Sequence, residues 1–581
     1  MSKTTRLFNS VPVEQQKASS FDMSFYSCGT GMTGTLTPVF KQEIIPGDLI
    51  SLGIMSQIDL PPMATSPMGR IDMRYEAFFV PNRITWGGWE AYKTRQSDDP
   101  YAMEQVSPSV LPFISFRDTD AATPDEVRNI LASVGAGSLA DYLGYRVDSP
   151  STVSTFLHTN SLGVDGVLID NALPFLAYHK IYDDWYRNSQ IQKPLFSRVQ
   201  SNDALYDSLC TFPWRTFSDD PSYFPNIVFS RTAHAETSAT FFNQQDIFHM
   251  HQRCWADDLY TTLALYPQAA MNPQSPSISV QQSPDMSVTG VTMTIPSLRA
   301  ANILQRYKEI MNLAGERYPD QLFAEYGVRP ADAILDRPLF LGSYSHGVYT
   351  SSIYQNTTPP ADQTYSSNKN PFRNCLGASA GDSNGFGKNS LVNGFKATEH
   401  GYVIVIGSLV PHSFYSNGID YDLLHSTIGD IASPKMQGLG EQAIYTGEIL
   451  GAHPDGRTTV FGYTPQYSNY KYRNDEVHGL LRSTPHLEDS IKREDLKYFC
   501  LQRTISDLNE TLSSSFLEIP KNFLDQVFAV TTAASGYSYM YYIQWQLKMT
   551  RPLAEYVIPT LGDPKDTYTT RIPLRGKQIK G

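Results

Sequence analysis

Hydrophobic and polar residues alternate with a period of two from Leu49 to Leu60. Ile50, Leu52, Ile54, Ile58 and Leu60 share one side, and Ser51, Gly53, Gln57 and Asp59 share the other. This alternation predicts a half-buried strand, opened by the turn Pro46-Gly47-Asp48. A second strand is expected over Ile71 to Val80. There Ile71, Met73, Tyr75, Ala77 and Phe79 oppose Asp72, Arg74 and Glu76, and Pro81-Asn82 stops the run. Tyr402 to Val410 is almost continuously apolar and predicts a strand buried on both faces. Tyr539 to Met549 alternates again, with Tyr539, Tyr541, Ile543, Trp545, Leu547 and Met549 against Gln544, Gln546 and Lys548.

Helical signals are fewer. Thr123-Pro124-Asp125-Glu126 forms a capping box before an apolar stripe of Val127, Ile130, Leu131 and Val134, closed by Gly135. Arg299 to Ala314 carries Ile303, Tyr307, Ile310, Met311 and Ala314 on one face, with Gly315 as stop. A third, aromatic helix follows Pro174, with Tyr178, Ile181, Tyr182 and Trp185 on one side. Between these elements, Tyr349 to Asn393 and Pro267 to Ile295 are rich in Ser, Asn, Gly, Pro and Thr and read as exposed loops. No repeat of solenoid or propeller period is present. Strong strands at both ends of the chain leave two architectures open: several domains, or one sheet core with very long insertions.

The composition fits a turn-rich β protein. Of 581 residues, 38 are Gly and 38 Pro, and aromatics reach 12%, chiefly Tyr and Phe. No run of eighteen apolar residues exists, so no membrane-spanning helix is expected. Met1 to Ser20 is polar and has no apolar core of the kind a secretion signal needs. A net charge of −12 argues against a strongly basic nucleic-acid binder. Cys28, Cys210, Cys254, Cys375 and Cys500 are sparse, odd in number and far apart, which fits free thiols in a reducing compartment.

Motifs that could carry chemistry lack their required settings. Gly29-Thr30-Gly31-Met32-Thr33-Gly34 matches a dinucleotide fingerprint, but strand-like sequence follows where a helix is needed, so it reads as a flexible glycine loop. Gly377-Ala378-Ser379-Ala380-Gly381 matches a nucleophile elbow but lies inside a polar segment. His249, His251 and Cys254 have no second ligand pair at zinc spacing, only Asp257 and Asp258 nearby. The acidic doublets at 98–99, 183–184, 219–220 and 257–258 lack the spacing of a calcium loop. No catalytic residue, metal site or cofactor is expected. The final residues hold Arg571, Arg575, Lys577 and Lys580 and no acid after Asp566. They form either a solvated tail or an arm that meets phosphate or another subunit.

Several blocks then resemble, in order, the major capsid protein of the Microviridae, small single-stranded DNA phages. "IIPGDLISLGIMSQIDLPPMATSPMGRIDMRYEAFFVPNRITWGGWEAY" (44–92) and "ALPFLAYHKIYDDWYRN" (172–188) are two of them. "EHGYVIVIGSLV" (399–410), "LGEQAIYTGEI" (439–449) and "FGYTPQYSNYKYRNDEVHGLLRS" (461–483) follow, with looser matches at 253–268 and 298–328. The sequence is closer to the gokushovirus-like branch. It departs from that branch at Leu176 and at Asp183-Asp184-Trp185-Tyr186, and by a short 268–296 where gokushoviruses carry a spike insertion.

The resemblance implies a mainly β fold: one viral jelly roll, an eight-stranded antiparallel β-sandwich with long insertions and a few short helices. A single capsid domain would then span 1–581, with strands near 34–80, 399–410 and 537–550. Insertion loops would cover about 98–170, 189–297 and 345–395, and a basic arm 567–581. It also implies sixty copies in a T=1 icosahedral virion shell assembled in the bacterial cytoplasm. Implied partners are circular single-stranded DNA, a small basic packaging protein, pilot and scaffolding proteins and a host surface receptor, with no membrane insertion. Phe79, Pro81, Trp86, Trp89, Pro174, Tyr178 and Trp185 fall in the two strongest blocks and are expected to serve packing and subunit contacts. Arg571, Arg575, Lys577 and Lys580 are the expected DNA or interface arm. Two rival readings are a secreted or surface β-sandwich that binds or cleaves glycans, and a tail or fibre protein.

Overall fold

The computed structural model describes residues 18–94, 111–116, 134–146, 167–195, 226–230, 241–243, 248–265, 331–355, 378–482, 499–503 and 512–553, apart from short gaps within these ranges. The architecture rests on β1 (Ser19–Asp22), β2 (Phe25–Gly31), β3 (Thr37–Ile44), β4 (Leu49–Asp59) and β5 (Ile71–Pro81). More than 250 residues later come β6 (Leu339–Gln355), β7 (Ala378–Lys396) and β8 (Gly401–Pro411), and last β9 (Tyr539–Arg551). In one sheet β1 and β2 lie in tandem along β9, β9 pairs β4, and β4 pairs β7, all antiparallel. In the other, β3 pairs β8, β8 pairs β5, and β5 pairs β6, again antiparallel.

With β1 and β2 counted as one interrupted strand, first pairs last, second pairs seventh, third pairs sixth and fourth pairs fifth. Such nesting is a long hairpin rolled on itself. The β9–β4 and β8–β5 ladders close the roll into two sheets, the jelly-roll arrangement. This is why good strands stand at both ends of the chain: the outermost pair of the nest joins residues about 520 apart in sequence. Beyond the sandwich, β6 and β7 continue as a two-stranded ribbon, with Tyr349–Gln355 against Ala378–Asn384.

The alternation seen in sequence is realised as burial. Tyr539, Tyr541, Ile543, Trp545, Leu547 and Met549 of β9 face inward with Ile50, Leu52, Ile54 and Ile58 of β4. They meet Met73, Tyr75, Ala77 and Phe79 of β5 and Val403 and Val405 of β8 in one core. Trp545 is fully buried, and its indole N–H donates to Ser27 Oγ at 2.9 Å, so its one polar atom is satisfied.

The second sheet is covered on its outer side too. Short helices α1 (Asn82–Thr85), α2 (Trp89–Thr94) and α3 (Leu139–Tyr142) precede α4 (Leu173–Ile181), which has Pro174 in its first turn and runs on as a π-turn, Tyr182–Tyr186. Every residue of α4 is buried. Its apolar side chains pack with Phe78 and Val80 of β5 and Tyr402, Ile404 and Ile406 of β8. Hence β8 is buried at every position, as its nearly continuous apolar run requires.

Two readings of loops are corrected. Much of the segment 345–395, expected as an insertion loop, is strand: β6 and β7 occupy both its ends. Its Ser, Asn and Gly content masks pairing that is set by partner strands, which is how tertiary context overrides β-propensity. Ala378–Gly381 of the apparent nucleophile elbow belongs to this ribbon. The glycine-rich 29–34 string is no flexible loop either, since Gly29 and Gly31 stand on β2. A Cβ there would come within 2.5 Å of Tyr541 and 2.3 Å of Tyr539, so the glycines make room for two rings of β9. The helix expected from 299 to 314 lies outside the described residues. So does the one expected from 123, apart from its last turn, where Val134 is buried.

Candidate assembly and packing site

The seven aromatic and proline residues singled out by sequence converge on the outer side of the second sheet and its rim. Phe79 is the exception: it points into the sandwich core and packs against Phe395. Pro81 is buried at the end of β5 and serves as N-cap of α1. Trp86 is buried just after α1, with its ring 5.9 Å from Tyr92. Pro174 and Tyr178 are buried in α4, and the Tyr178 hydroxyl donates to the Leu36 carbonyl at 2.8 Å and accepts from His251 N–H at 3.0 Å. Trp89 and Trp185 are only partly buried. Trp89 sits beside Tyr92 and His400. Trp185 donates to the Pro338 carbonyl at 3.0 Å, lies against Phe78 and Phe340, and has the Arg337 guanidinium 4.5 Å from its ring centre. Five of the seven are therefore spent on packing within the chain. Trp89 and Trp185 keep part of their surface exposed. Arg571, Arg575, Lys577 and Lys580 lie outside the described residues.

A polar bolt fastens the same layer to the sheet. Arg253 makes a two-pronged contact with Glu76, Nη1 to Oε2 at 2.9 Å and Nη2 to Oε1 at 3.1 Å, and also donates to Ser408 Oγ at 3.0 Å. The Tyr186 hydroxyl donates to the same carboxylate. Burial works to raise the Glu76 pKa, but the Arg253 charge and the hydrogen bonds from Arg253 and Tyr186 hold it below the ordinary range. Burial, with Glu76 beside it, pushes the Tyr186 phenol well up, so it stays a donor.

His249, His251 and Cys254 are drawn into this layer. His251 stacks flat on Tyr182, with ring centres 3.7 Å apart at 6°, and its Nε2 lies 2.9 Å from His179 Nδ1. Cys254 is partly buried, and burial pushes its thiol up to about 12, which makes it a poor nucleophile. Among the described residues no three His, Cys, Asp or Glu side chains gather as metal ligands. The doublet 183–184 is held in ion pairs, Asp183 with Arg187 at 2.7 Å and Asp184 with the buried Lys180 at 2.8 Å. Asp258 caps a turn through Tyr260 and Thr261 N–H and accepts from the Tyr415 hydroxyl.

One cluster was missed by sequence reasoning. Arg503 is buried, donates to Tyr415 Oη at 2.8 Å and to the Phe516 carbonyl, and lies 4.0 Å from the Phe516 ring centre and 5.1 Å from that of Trp255. Its members are scattered from 255 to 516, so no local motif could reveal it.

The jelly roll is an architecture shared by viral capsid proteins, lectin domains and cupins. The sequence profile of the family described as Capsid protein (F protein) matches residues 9–561, and the chain belongs to that family. It is 26% identical over 507 residues to the capsid protein VP1 of Bdellovibrio phage phiMH2K, covering 82% of this chain and 84% of the relative. It is 22% identical over 630 residues to the capsid protein VP1 of Chlamydia phage 1, covering 95% and 97%. Against the capsid protein VP1 of Spiroplasma virus 4 it is 22% identical over 490 residues, covering 78% and 80%. The family is one of structural proteins, not enzymes, and lends no support to the glycan-binding reading. No described helix is long and apolar enough to cross a membrane.

Proposed function

We propose that this capsid protein builds the T=1 icosahedral shell of a small single-stranded DNA phage from sixty copies of one jelly-roll domain, residues between the strands being insertions on that core. The match of residues 9–561 to the capsid family carries the reading. The nested pairing supports it, because a closed sandwich leaves long inter-strand segments free to meet neighbours, and loop length costs little, about 0.6 kcal/mol per doubling. Trp89 and Trp185 are the members of the aromatic layer placed to add subunit contact, and Arg571, Arg575, Lys577 and Lys580 form an arm for DNA or a neighbour. A net charge of −12 does not condense DNA, so a small basic protein accompanies the circular genome. Pilot and scaffolding proteins and a host receptor complete the set of partners. Electron microscopy of the purified chain, alone and co-expressed with such a basic protein, tests this. Closed shells of one diameter are expected; monomers or open rods under both conditions refute it.

A further inference from the structure

Where β6 and β7 leave the sandwich they have no third strand. Val348 is the last residue of β6 to face β5, and Asn384 is the first of β7 to face β4. Beyond them 351–355 and 378–382 pair with each other, and over these residues neither half pairs with any other described strand. Five rungs make a ribbon about 17 Å long. Its root is fixed. His346 Nε2 lies 2.8 Å from Ser56 Oγ of β4, and Val348 is buried. A Cβ on Gly385 would come within 3.1 Å of the Gly347 carbonyl, and one on Gly387 within 2.8 Å of the His346 ring, so the two strands are pressed together at the base.

A two-stranded ribbon is marginal by itself in water. The half at 378–382 reads Ala-Ser-Ala-Gly-Asp, residues that add little strand preference of their own. The ribbon also lacks the devices that keep edge strands from pairing with other chains. The chain uses those devices elsewhere. On β3, at the edge of the second sheet, stand Pro38, a register shift between Pro38 and Phe40, and Lys41, whose Nζ donates to the Leu143 carbonyl just after α3. By contrast 351–355 is Ser-Ser-Ile-Tyr-Gln, with no Pro, Lys or charge, and 378–382 carries Asp382 as its one charged residue.

We propose that this ribbon is a docking element that joins its edge, strand to strand, to the backbone of a second copy of this chain. Charge selects the partner. A basic protein or a DNA phosphate is drawn by opposite charge, which the ribbon hardly offers. Two copies at −12 each repel, and they meet at least cost where charge is absent. Strand addition needs only main-chain N–H and C=O groups, so no matching side-chain pocket is required. The fixed root holds the ribbon in one direction before contact, which lowers the cost of ordering it. The inference rests on the shell reading and names a contact within it. That contact lies at the far end of β6 from Phe340, which packs on Trp185.

Amide hydrogen exchange on the full chain tests this, in shells and in subunits dissociated from them. The amides of 351–355 and 378–382 are expected to exchange at least about tenfold more slowly in the shell. A benzophenone amino acid in place of the exposed Tyr349 should, on illumination of shells, link two copies of the chain. A third arm shortens the ribbon. Replacing 351–382 by Asn-Gly, a two-residue hairpin turn, joins Thr350 to its rung partner Ser383 and leaves the sandwich intact. This chain should melt with the parent and lose shell yield severalfold. Equal exchange in shell and subunit overturns the proposal. So do crosslinks confined to one chain or made to another protein, and so does normal shell yield from the shortened chain. Micrographs separate the two readings: shells whose ribbon fails these tests sink the docking element alone, and absence of shells from the unaltered chain sinks the shell reading.

Discussion

His251 shows how a single side chain ties this layer to pH. Its ring is pressed on Tyr182 and faces His179 nitrogen to nitrogen, so a second proton between them would have no acceptor. Burial, followed by the neighbouring His179 and His249, pushes its pKa well below 6.5. Lys521 adds to the positive surroundings through His249. The unfolded chain therefore binds a proton near pH 6.5 that the folded chain refuses, and stability contributed by neutral His251 is lost as pH falls below that value. Relative to His251→Phe, the wild type should lose about 1 kcal/mol between pH 7.5 and 5.5 in urea unfolding. Glu448, pushed up to about 7 by burial, titrates in the same window with the opposite sign, but it is common to both proteins and cancels. A difference that does not change with pH would contradict the assignment. Trp89 and Trp185 offer a second residue-scale test. As the partly buried members of the aromatic set, their replacement by Ala should cut particle yield severalfold while the subunit still folds. Normal yield from both variants would remove them from the interface.

At the scale of elements, β9 separates packing from exposure along one strand. Trp545 is fully buried, while Tyr542, three residues earlier, is half exposed and stacks on Tyr26. Trp545→Ala should cost about 3–5 kcal/mol, from lost transfer energy and the cavity left behind. Tyr542→Ala should stay within about 0.5–1 kcal/mol. Comparable denaturant midpoints for the two would show that the register is wrong. This strand was legible in sequence because alternation and burial have the same period, and so were β4, β5 and the doubly buried β8. Legibility failed where the determining contact was distant. Gly29 and Gly31 look like a loop until Tyr539 and Tyr541 are placed over them from the far end of the chain. The polar β6–β7 ribbon is strand because each half pairs the other, not because its residues prefer it. The Arg503 cluster gathers Trp255, Tyr415 and Phe516 from distant stretches and leaves no local signature. The aromatic strings at 78–92 and 172–188 were legible as important, and within the chain they hold α4 against the sheet.

For the whole molecule, the decisive quantity is charge. Each copy brings −12, so in the shell proposed above every added subunit would raise the cost of enclosing a polyanion, and local cation sources carry more weight than their number suggests. The stretch after Asp566 supplies Arg571, Arg575, Lys577 and Lys580 with no acid, and removing it takes the net charge from −12 to −16. Folding should not suffer, because the last described strand ends at Arg551 and the core of the described residues ends with Met549 of that strand. Packaging should. A chain ending at Asp566 is expected to give particles in normal number with a lower ratio of absorbance at 260 nm to 280 nm, and the deficit should shrink when a small basic protein is over-expressed. Particles with unchanged DNA content would assign the arm to solvent. Loss of particles altogether would assign it to subunit contact, because charge alone can be restored in trans while a lost contact cannot.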